Sequence, residues 1–506
     1  MREMVVILDF GGQYKELIAR RVRECGVYSE IRSNAVSAEE LRALDPLGII
    51  FTGGPDSVYR PGSPTCDPGI LDLGIPVLGI CYGMQLLCHL CGGTVAPCDA
   101  SEYGVVEAEL SEESALFSGA AGPRRVLMSH TDRVTKVPEG FSVTAKTALC
   151  PAAAVEDPVR RLYGVQFHPE VTHTRGGTEI LRRFLYDVCG AKGGYDMDRY
   201  LAEQLEAVRA QVGKKRILLG LSGGVDSSVC AALLEQAVPG QVTCICVDHG
   251  LLRQNEAEEI AAAFGGRALD FCLVDAKDRF LSALRGVSDP EEKRKIIGRE
   301  FALTFQEEAS RHGQLDFLAQ GTIYPDVVES GTHSAVIKSH HNVGGLPSQL
   351  KFEGVVEPLR HLYKDEVRAL GLKLGLPRKL VFRQPFPGPG LAIRILGEVT
   401  EEKLSILRRA DAILREELDH LRNRADQYFC VLTDSRSVGV MGDGRTYDYV
   451  LAVRAVRTGD FMTGEFARLP WERLARLSAR ITNEVRGINR VVYDVTSKPP
   501  ATIEWE

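Results

Sequence analysis

The chain has 506 residues, of which 44% are hydrophobic and 25% charged, with a formal net charge of −7 and a pI near 6.0. That is apolar material for several cores, roughly three domains at about 150 residues each, and it excludes a global basic field for gripping nucleic acid. No apolar run approaches the ~20 residues of a membrane span. The apolar stretch in MREMVVILDF is too short for a secretory signal, and the thirteen cysteines, many inside segments such as VTCICVDHG, read as reduced core thiols of a cytoplasmic protein.

Residues 1–188 alternate short β-branched runs with helical patterns: MVVILDF, LGIIFTGG, PVLGICYG, RRVLMSH and RRLYGVQFHPE. Several runs end in glycine or a polar residue, as strands do where functional loops sit on an open α/β sheet. IPVLGICYGMQLLCHL reads as strand, sharp turn and helix, with Gly79, Cys81 and Gly83 in G-x-C-x-G spacing. Small residues on either side let the turn tighten until the Cys81 side chain stands proud. The positive end of the following helix favours a thiolate there. VQFHPE offers the base: His168 and Glu170 share a face of an extended segment, so the carboxylate can orient the imidazole. TGGP at 52–55, after another apolar strand, can present backbone N–H groups to a tetrahedral oxyanion. Cys88 and Cys91 have CxxC spacing with no second pair near, and read as two cysteines on a buried helix.

CGAKGGYDMD, 189–198, is a glycine-rich linker, and from 198 to 383 a second doubly wound α/β pattern follows. Its first strand runs into SGGVDSS. Ser222, Gly223, Gly224, Val225, Ser227 and Ser228 can surround an anion with N–H and hydroxyl donors at a helix N-terminus. No lysine follows the glycines, as it does in a loop that serves cleavage at the γ-phosphate. A loop that binds the β,γ-pyrophosphate as a unit suits attack at the α-phosphorus. Asp226 would repel that anion unless a divalent cation lay between, which argues for Mg²⁺. RQPFPGPGLAIR marks a second boundary, and 390–506 reads as a small α+β domain ending in SKPPATIEWE.

Here the residues meet known families. GICYGMQ, FTGGPDSV and GVQFHPEV resemble the class I (triad) glutamine amidotransferases. The resemblance implies that Cys81 attacks the glutamine amide, with His168 and Glu170 completing the triad. Gly53, Gly54, Tyr82, Gln85 and the stretch SHTD at 129–132 would hold glutamine and its oxyanion. SGGVDSS is similar to the ATP-pyrophosphatase loop, which implies ATP as a substrate, Val247 against the adenine, and His249 and Arg253 near the nucleotide. EEKRKIIGREF, GTIYPDVVESG, IKSHHNVGGLP, FPGPGLAIR and SKPPATIEWE resemble the glutamine-hydrolysing GMP synthetase family over essentially all 506 residues. That family adenylates the C2 oxygen of XMP and replaces it with ammonia. The resemblance implies that Arg294, Lys498, Ile503 and Glu504 bind XMP, that KRKIIGR (293–299) belongs to a lid over the nucleotide, and that the third segment forms a homodimer. The fold it implies is two doubly wound open sheets plus a small C-terminal α+β domain, with no prosthetic group. Synthetases acting on deamido-NAD pair such a loop with a different hydrolase, and the intact triad speaks against a nucleotide sensor without turnover.

Overall fold

The computed structural model describes residues 3–119, 121–330, 352–420, 425–441, 444–458 and 463–506. The stretch IKSHHNVGGLP, 337–347, lies outside them. The chain divides into two units, Met1–Tyr200 and Leu201–Glu506.

In the first unit the strands are β1 (Met4–Asp9), β2 (Tyr28–Ser33), β3 (Gly48–Phe51), β4 (Val77–Ile80), β5 (Thr94–Leu110), β6 (Gly122–Lys136), β7 (Ser142–Lys146), β8 (Ala154–Asp157) and β9 (Leu162–Val165). The helices are α1 (Lys15–Glu24), α2 (Ala38–Leu44), α3 (Tyr82–Leu90) and α4 (Gly177–Arg183). The strands make one sheet in the order β2-β1-β3-β4-β9-β8-β7-β5-β6. From β2 to β9 the pairing is parallel; from β9 to β6 it is antiparallel. The parallel half is covered on both faces, so Val5 to Leu8 and Ile49 to Phe51 are continuous apolar runs with no exposed surface. Local chemistry sets the connections: Ser37 and Glu40 form a reciprocal capping box that starts α2. After β2 the chain returns to the far side of β1 to make β3, and this reversal opens a crevice at the carboxyl ends of the strands. TGGP follows β3, Cys81 follows β4, and His168 follows β9.

The chain crosses from one unit to the next within α5 (Met197–Val212), and the second unit holds a parallel sheet of β10 (Ile217–Gly220), β11 (Val242–Asp248), β12 (Asp270–Asp275), β13 (Phe317–Ala319) and β14 (Gly354–Val356). Its order is β12-β11-β10-β13-β14, so the direction reverses at β10, and SGGVDSS sits at that strand's carboxyl end. The helices among these strands are α6 (Val225–Ala237), α7 (Glu256–Phe264), α8 (Lys277–Ala283), α9 (Pro290–Arg311), α10 (Tyr324–Ser330), α11 (Lys364–Lys373) and α12 (Arg378–Val381). Asp289 caps α9 through the Glu292 N–H, with Pro290 in the first turn, where its missing donor costs nothing.

The remaining elements are α13 (Glu401–Leu418), β15 (Gln427–Met441), β16 (Gly444–Arg457), β17 (Glu465–Phe466), α14 (Trp471–Glu484) and β18 (Ile488–Asp494). β15, β16 and β17 pair antiparallel, and β18 lies parallel against β16. Leu404, Leu407, Leu477 and Ile481 of the two helices join Leu432, Leu451 and Val453 of the sheet in one apolar cluster. The same cluster takes in Leu218 of β10 and Ile245 and Val247 of β11, so this core runs through the segment around 383–390 without a break.

Candidate active site

The turn between β4 and α3 is built by what its neighbours leave no room for. A Cβ on Gly79 would lie 2.5 Å from the Gly83 carbonyl oxygen, and one on Gly83 would lie 2.4 Å from the Phe51 carbonyl oxygen. Cys81 takes φ 54° and ψ −109°, a backbone conformation that side chains rarely adopt, and its N–H donates to the Val165 carbonyl at 2.8 Å. The strain is held by the β4–β9 pairing and sets the thiol at the head of α3. His168 Nδ1 lies 2.7 Å from Glu170 Oε1, and both side chains are buried. Backbone contacts hold this segment: the His168 N–H donates to the Leu127 carbonyl, and Thr174 Oγ1 donates to the His168 carbonyl. Burial opposes a charged imidazole here. Hydrogen bonds to Cys81 and Glu170 and their negative charge outweigh it, so the His168 pKa is held well above its ordinary value. An imidazolium so placed is the counter-ion that a thiolate nucleophile needs.

TGGP closes over this pair. A Cβ on Gly53 would lie 3.5 Å from the His168 ring and 3.8 Å from the Cys81 Cβ. Gly54 is pressed against the Phe10 carbonyl, where a Cβ would come within 2.7 Å. Tyr82 begins α3, in the turn whose amides have no intrahelical acceptor, while its hydroxyl donates to the Pro64 carbonyl at 2.5 Å. Gln85 is buried, and its amide nitrogen donates to the Asp132 carbonyl at 2.8 Å and to Gln166 Oε1 at 3.1 Å. It therefore ties α3 to the SHTD strand.

Sequence reasoning missed what holds that strand in place. His130 is buried with Nδ1 3.0 Å from the Asp132 carbonyl and Nε2 3.2 Å from Glu102 Oε2. Ser129 turns its carbonyl to the Cys81 sulfur at 3.7 Å, and Gln166 Nε2 stands 3.7 Å from the same sulfur. Glu102 is 28 residues from His130 in the chain, so spacing carries no signal of the pair.

In the second unit, Ser222 Oγ and Ser227 Oγ lie 3.1 Å apart across the loop, and Ser227 Oγ donates to the Gly224 carbonyl at 3.2 Å. Gly223 has φ +73°, and a Cβ there would strike Ile260 Cδ1 at 2.3 Å. Val225 opens α6, and the Ser228 hydroxyl is buried without a partner among the described residues. A lysine reaches the loop's carboxylate from a distant element. Lys364 Nζ at the start of α11 lies 2.6 Å from Asp226 Oδ2, across 138 residues of sequence. Asp226 Oδ1 is buried and has no partner among the described residues, so the carboxylate keeps one oxygen for a cation. Arg383 binds the Gly223 carbonyl and Glu256, steadying the loop from a third element.

Val247 is buried near the end of β11. His249 and Arg253 are buried as well, rather than lying on a surface loop. His249 Nδ1 accepts from the Leu251 N–H at 3.0 Å, and burial draws its pKa down to about 4. Arg253 Nε is 3.5 Å from Asp411 Oδ2, and its guanidinium stacks 4.4 Å from the Phe386 ring. The basic run 293–299 lies within α9, and it is not one solvated face. Lys293 is wholly buried, 2.5 Å from Glu506 Oε2 and 2.7 Å from the Ile395 carbonyl. Arg294 is partly exposed and paired with Glu291 at 2.5 Å. The tail is docked: Glu504 grips the buried Arg394 at 2.8 and 3.1 Å and accepts from Gln427 at 3.2 Å. Ile503 packs on Phe429, Val431 and Ala452. Lys498 pairs its backbone with Gly464 and lines a cavity of about 370 Å³ with Arg457, Thr458 and Glu465. The ion pair of Arg294 is with Glu291 and that of Glu504 is with Arg394, so neither joins the two. Lys293, the neighbour of Arg294 on α9, binds Glu506 of the tail that carries Glu504.

Known proteins resemble both units. Residues 6–188 match the glutamine amidotransferase class-I family, 198–285 match the NAD synthase family, and 416–505 match the GMP synthase C terminal domain. The GMP synthase [glutamine-hydrolyzing] of Clostridium botulinum (strain Alaska E43 / Type E3) is 56% identical over 511 aligned residues, covering all of both chains. The corresponding protein of Streptococcus mutans is also 56% identical and covers 100% of this chain and 99% of its own. Among solved structures, a glutamine amidotransferase from Thermotoga maritima aligns with 38% of this chain and all of its own, at 18% identity and a TM-score of 0.32. With more than half of all positions identical from end to end, the chain belongs to the glutamine-hydrolysing GMP synthase family.

Proposed function

We propose that this chain converts XMP to GMP with ATP and glutamine, and that each step falls to the residues assembled above. Cys81 adds to the glutamine side-chain amide, and backbone N–H groups around Gly53, Gly54 and Tyr82 take up the charge on the tetrahedral oxygen. His168, oriented by Glu170, gives its proton to the leaving ammonia and then draws one from the water that releases glutamate. Gln85 fixes the SHTD strand against the substrate. In the synthetase segment, the N–H and hydroxyl groups of Ser222, Gly223, Gly224, Val225, Ser227 and Ser228 cradle the leaving pyrophosphate, with Val247 against the adenine. ATP adenylates the XMP C2 oxygen, and ammonia displaces AMP.

Asp226 Oδ1 fits Mg²⁺, which would screen the charge of the ATP phosphates; Lys364 already balances the other oxygen of that carboxylate. Arg294 and Lys498 would bind the 5′-monophosphate, with Ile503 as an apolar wall and Glu504 at the purine edge. The working divisions are 1–188, 198–383 and 390–506. Exposed apolar side chains favour a homodimer through the last of these: Val438 and Tyr447 pair across β15 and β16, each more than half exposed, and Val440 is 76% exposed. No helix among the described residues is long and apolar enough to cross a membrane; a reduced, cytoplasmic setting suits the thirteen free thiols.

The observation that carries this reading is the presence in one chain of a thiol–imidazole–carboxylate crevice and a pyrophosphate-type loop with a cation-ready acid. The test is a product assay with XMP, MgATP and glutamine. GMP with equimolar AMP is expected; ADP in place of AMP would overturn the assignment of the loop. Cys81→Ala should lose glutamine use and keep synthesis from ammonium salts.

A further inference from the structure

We propose that Cys272, Glu308 and His312 form a binding site for a thiophilic divalent cation of the Zn²⁺ class, separate from the machinery of synthesis. Cys272 lies on β12, the edge strand of the second unit's parallel sheet. Glu308 is in the last turn of α9, and His312 follows one turn on as its cap. Cys272 Sγ stands 3.3 Å from Glu308 Oε1, and His312 Nε2 stands 3.3 Å from the same oxygen. The three ligand atoms all lie within 4.8 Å of one another. Tetrahedral zinc, with bonds of about 2.0–2.3 Å, sets neighbouring ligand atoms roughly 3.3–3.7 Å apart. Two of the three spacings, those from Glu308 Oε1 to the sulfur and to the ring nitrogen, are already those of a coordination shell; the sulfur and the nitrogen have only to close to that range around the ion, with the fourth position left to water.

A second, independent contact points the same way. The other imidazole nitrogen, Nδ1, lies 3.0 Å from Asp270 Oδ2, two residues before Cys272 on the same strand face. A ligating histidine characteristically donates its free N–H to a carboxylate in this manner, which fixes the ring and its tautomer. Asp270 is steadied in turn by Thr243 Oγ1 at 3.2 Å and Arg216 at 3.5 Å. Arg311 occupies Glu308 Oε2 at 2.7 Å and leaves Oε1 facing the sulfur and the ring. Without a cation, both imidazole nitrogens face carboxylates, and the thiol is pushed up to about 11 by burial, by its hydrogen bond to Glu308 and by the charges of Glu308 and Asp270. On binding, the cation replaces the thiol's S–H as the partner of Glu308 Oε1, the sulfur ligates as thiolate, and its proton leaves to solvent.

The location sets the role. Asp270 and Cys272 pair with Thr243 and Ile245 of β11, and Asp270 starts β12 at the amino end of the sheet, opposite the carboxyl end that carries SGGVDSS. The cation is a staple between the end of α9 and an edge strand, and loading it raises stability without taking part in synthesis.

The test uses the full-length chain with Cys81→Ser, so that the nucleophilic thiol does not contribute. The protein is freed of metal with a chelator and titrated with Co²⁺ as the spectroscopic stand-in for Zn²⁺. A thiolate-to-cobalt charge-transfer band is expected, which Cys272→Ser abolishes and His312→Gln weakens at least tenfold in affinity. Asp270→Asn, which retains all three ligands, should lower affinity by about 10- to 100-fold. Zn²⁺ should raise the melting temperature of the parent but not of Cys272→Ser. A band that survives Cys272→Ser, or no band in the parent, overturns the proposal. Should Cys272→Ser fail to fold, His312→Gln decides: a cobalt affinity within threefold of the parent overturns the proposal, and a loss of tenfold or more supports it.

Discussion

The Gly83→Ala substitution puts the nucleophile turn to a quantitative test. The added Cβ would lie 2.4 Å from the Phe51 carbonyl oxygen and 2.7 Å from the Phe51 Cβ, whereas ordinary contact begins near 3.4 Å. The start of α3 must therefore back away from β3 by about 1 Å, and Cys81 sits two residues upstream on the same turn. A misplacement of about 1 Å in a reacting group is worth roughly 100-fold in rate, or ~2.7 kcal/mol of barrier. The overpacking itself should cost about 1–3 kcal/mol of stability. The assay compares two rates in one preparation: GMP formation from glutamine, and GMP formation from ammonium salts. The glutamine-dependent rate should fall about 100-fold while the ammonium-dependent rate stays near that of the parent. A glutamine-dependent rate within threefold of the parent would refute the argument that this turn positions the thiol. So would an equal fall in both rates in protein that is still folded.

Other outcomes follow from individual contacts. Lys364→Met leaves Asp226 uncompensated beside the phosphate loop, so synthesis from either nitrogen source should drop by about 100-fold; because the pair is partly exposed, stability should change by less than about 1 kcal/mol in a urea melt. Glu504→Gln strands the buried Arg394 cation and should destabilise by roughly 3 kcal/mol; a change within about 0.5 kcal/mol would mean the carboxylate is free for other work. His249 stays neutral in the fold down to about 4, while the unfolded chain takes up its proton near 6.5. Its contribution is intact above pH 6.5 and is lost as pH falls towards 4, by roughly 3 kcal/mol, a loss that His249→Asn should flatten in stability measured against pH.

Much of the candidate chemistry is written locally. GICYG, HPE and SGGVDSS each lie within seven residues, because a tight turn, a shared strand face and a helix N-terminus are short-range geometries. The parallel strands were legible for the same kind of reason: a strand buried on both faces is a continuous apolar run, as in MVVILD and VTCICVD. β5 was not, since TVAPCDASEYGVVEAEL mixes proline, glycine and charge, and its register against β6 shifts between Pro97 and Glu102. The anchors of the tail, Arg394 for Glu504 and Lys293 for Glu506, lie 110 and 213 residues upstream and leave no local signal in the sequence.

The sequence by itself determined the local shape of each candidate motif, because its spacing specifies its own backbone geometry. Tertiary structure decided which partners surround the side chains of those motifs. Lys364 meets Asp226 across 138 residues, Glu102 fixes His130 across 28, and Gly53 comes to lie over His168 and Cys81 only once three strands stand side by side. Such partners are set by sheet order and by the apolar packing that closes long loops, and loop closure depends on the whole fold rather than on any local residue pattern.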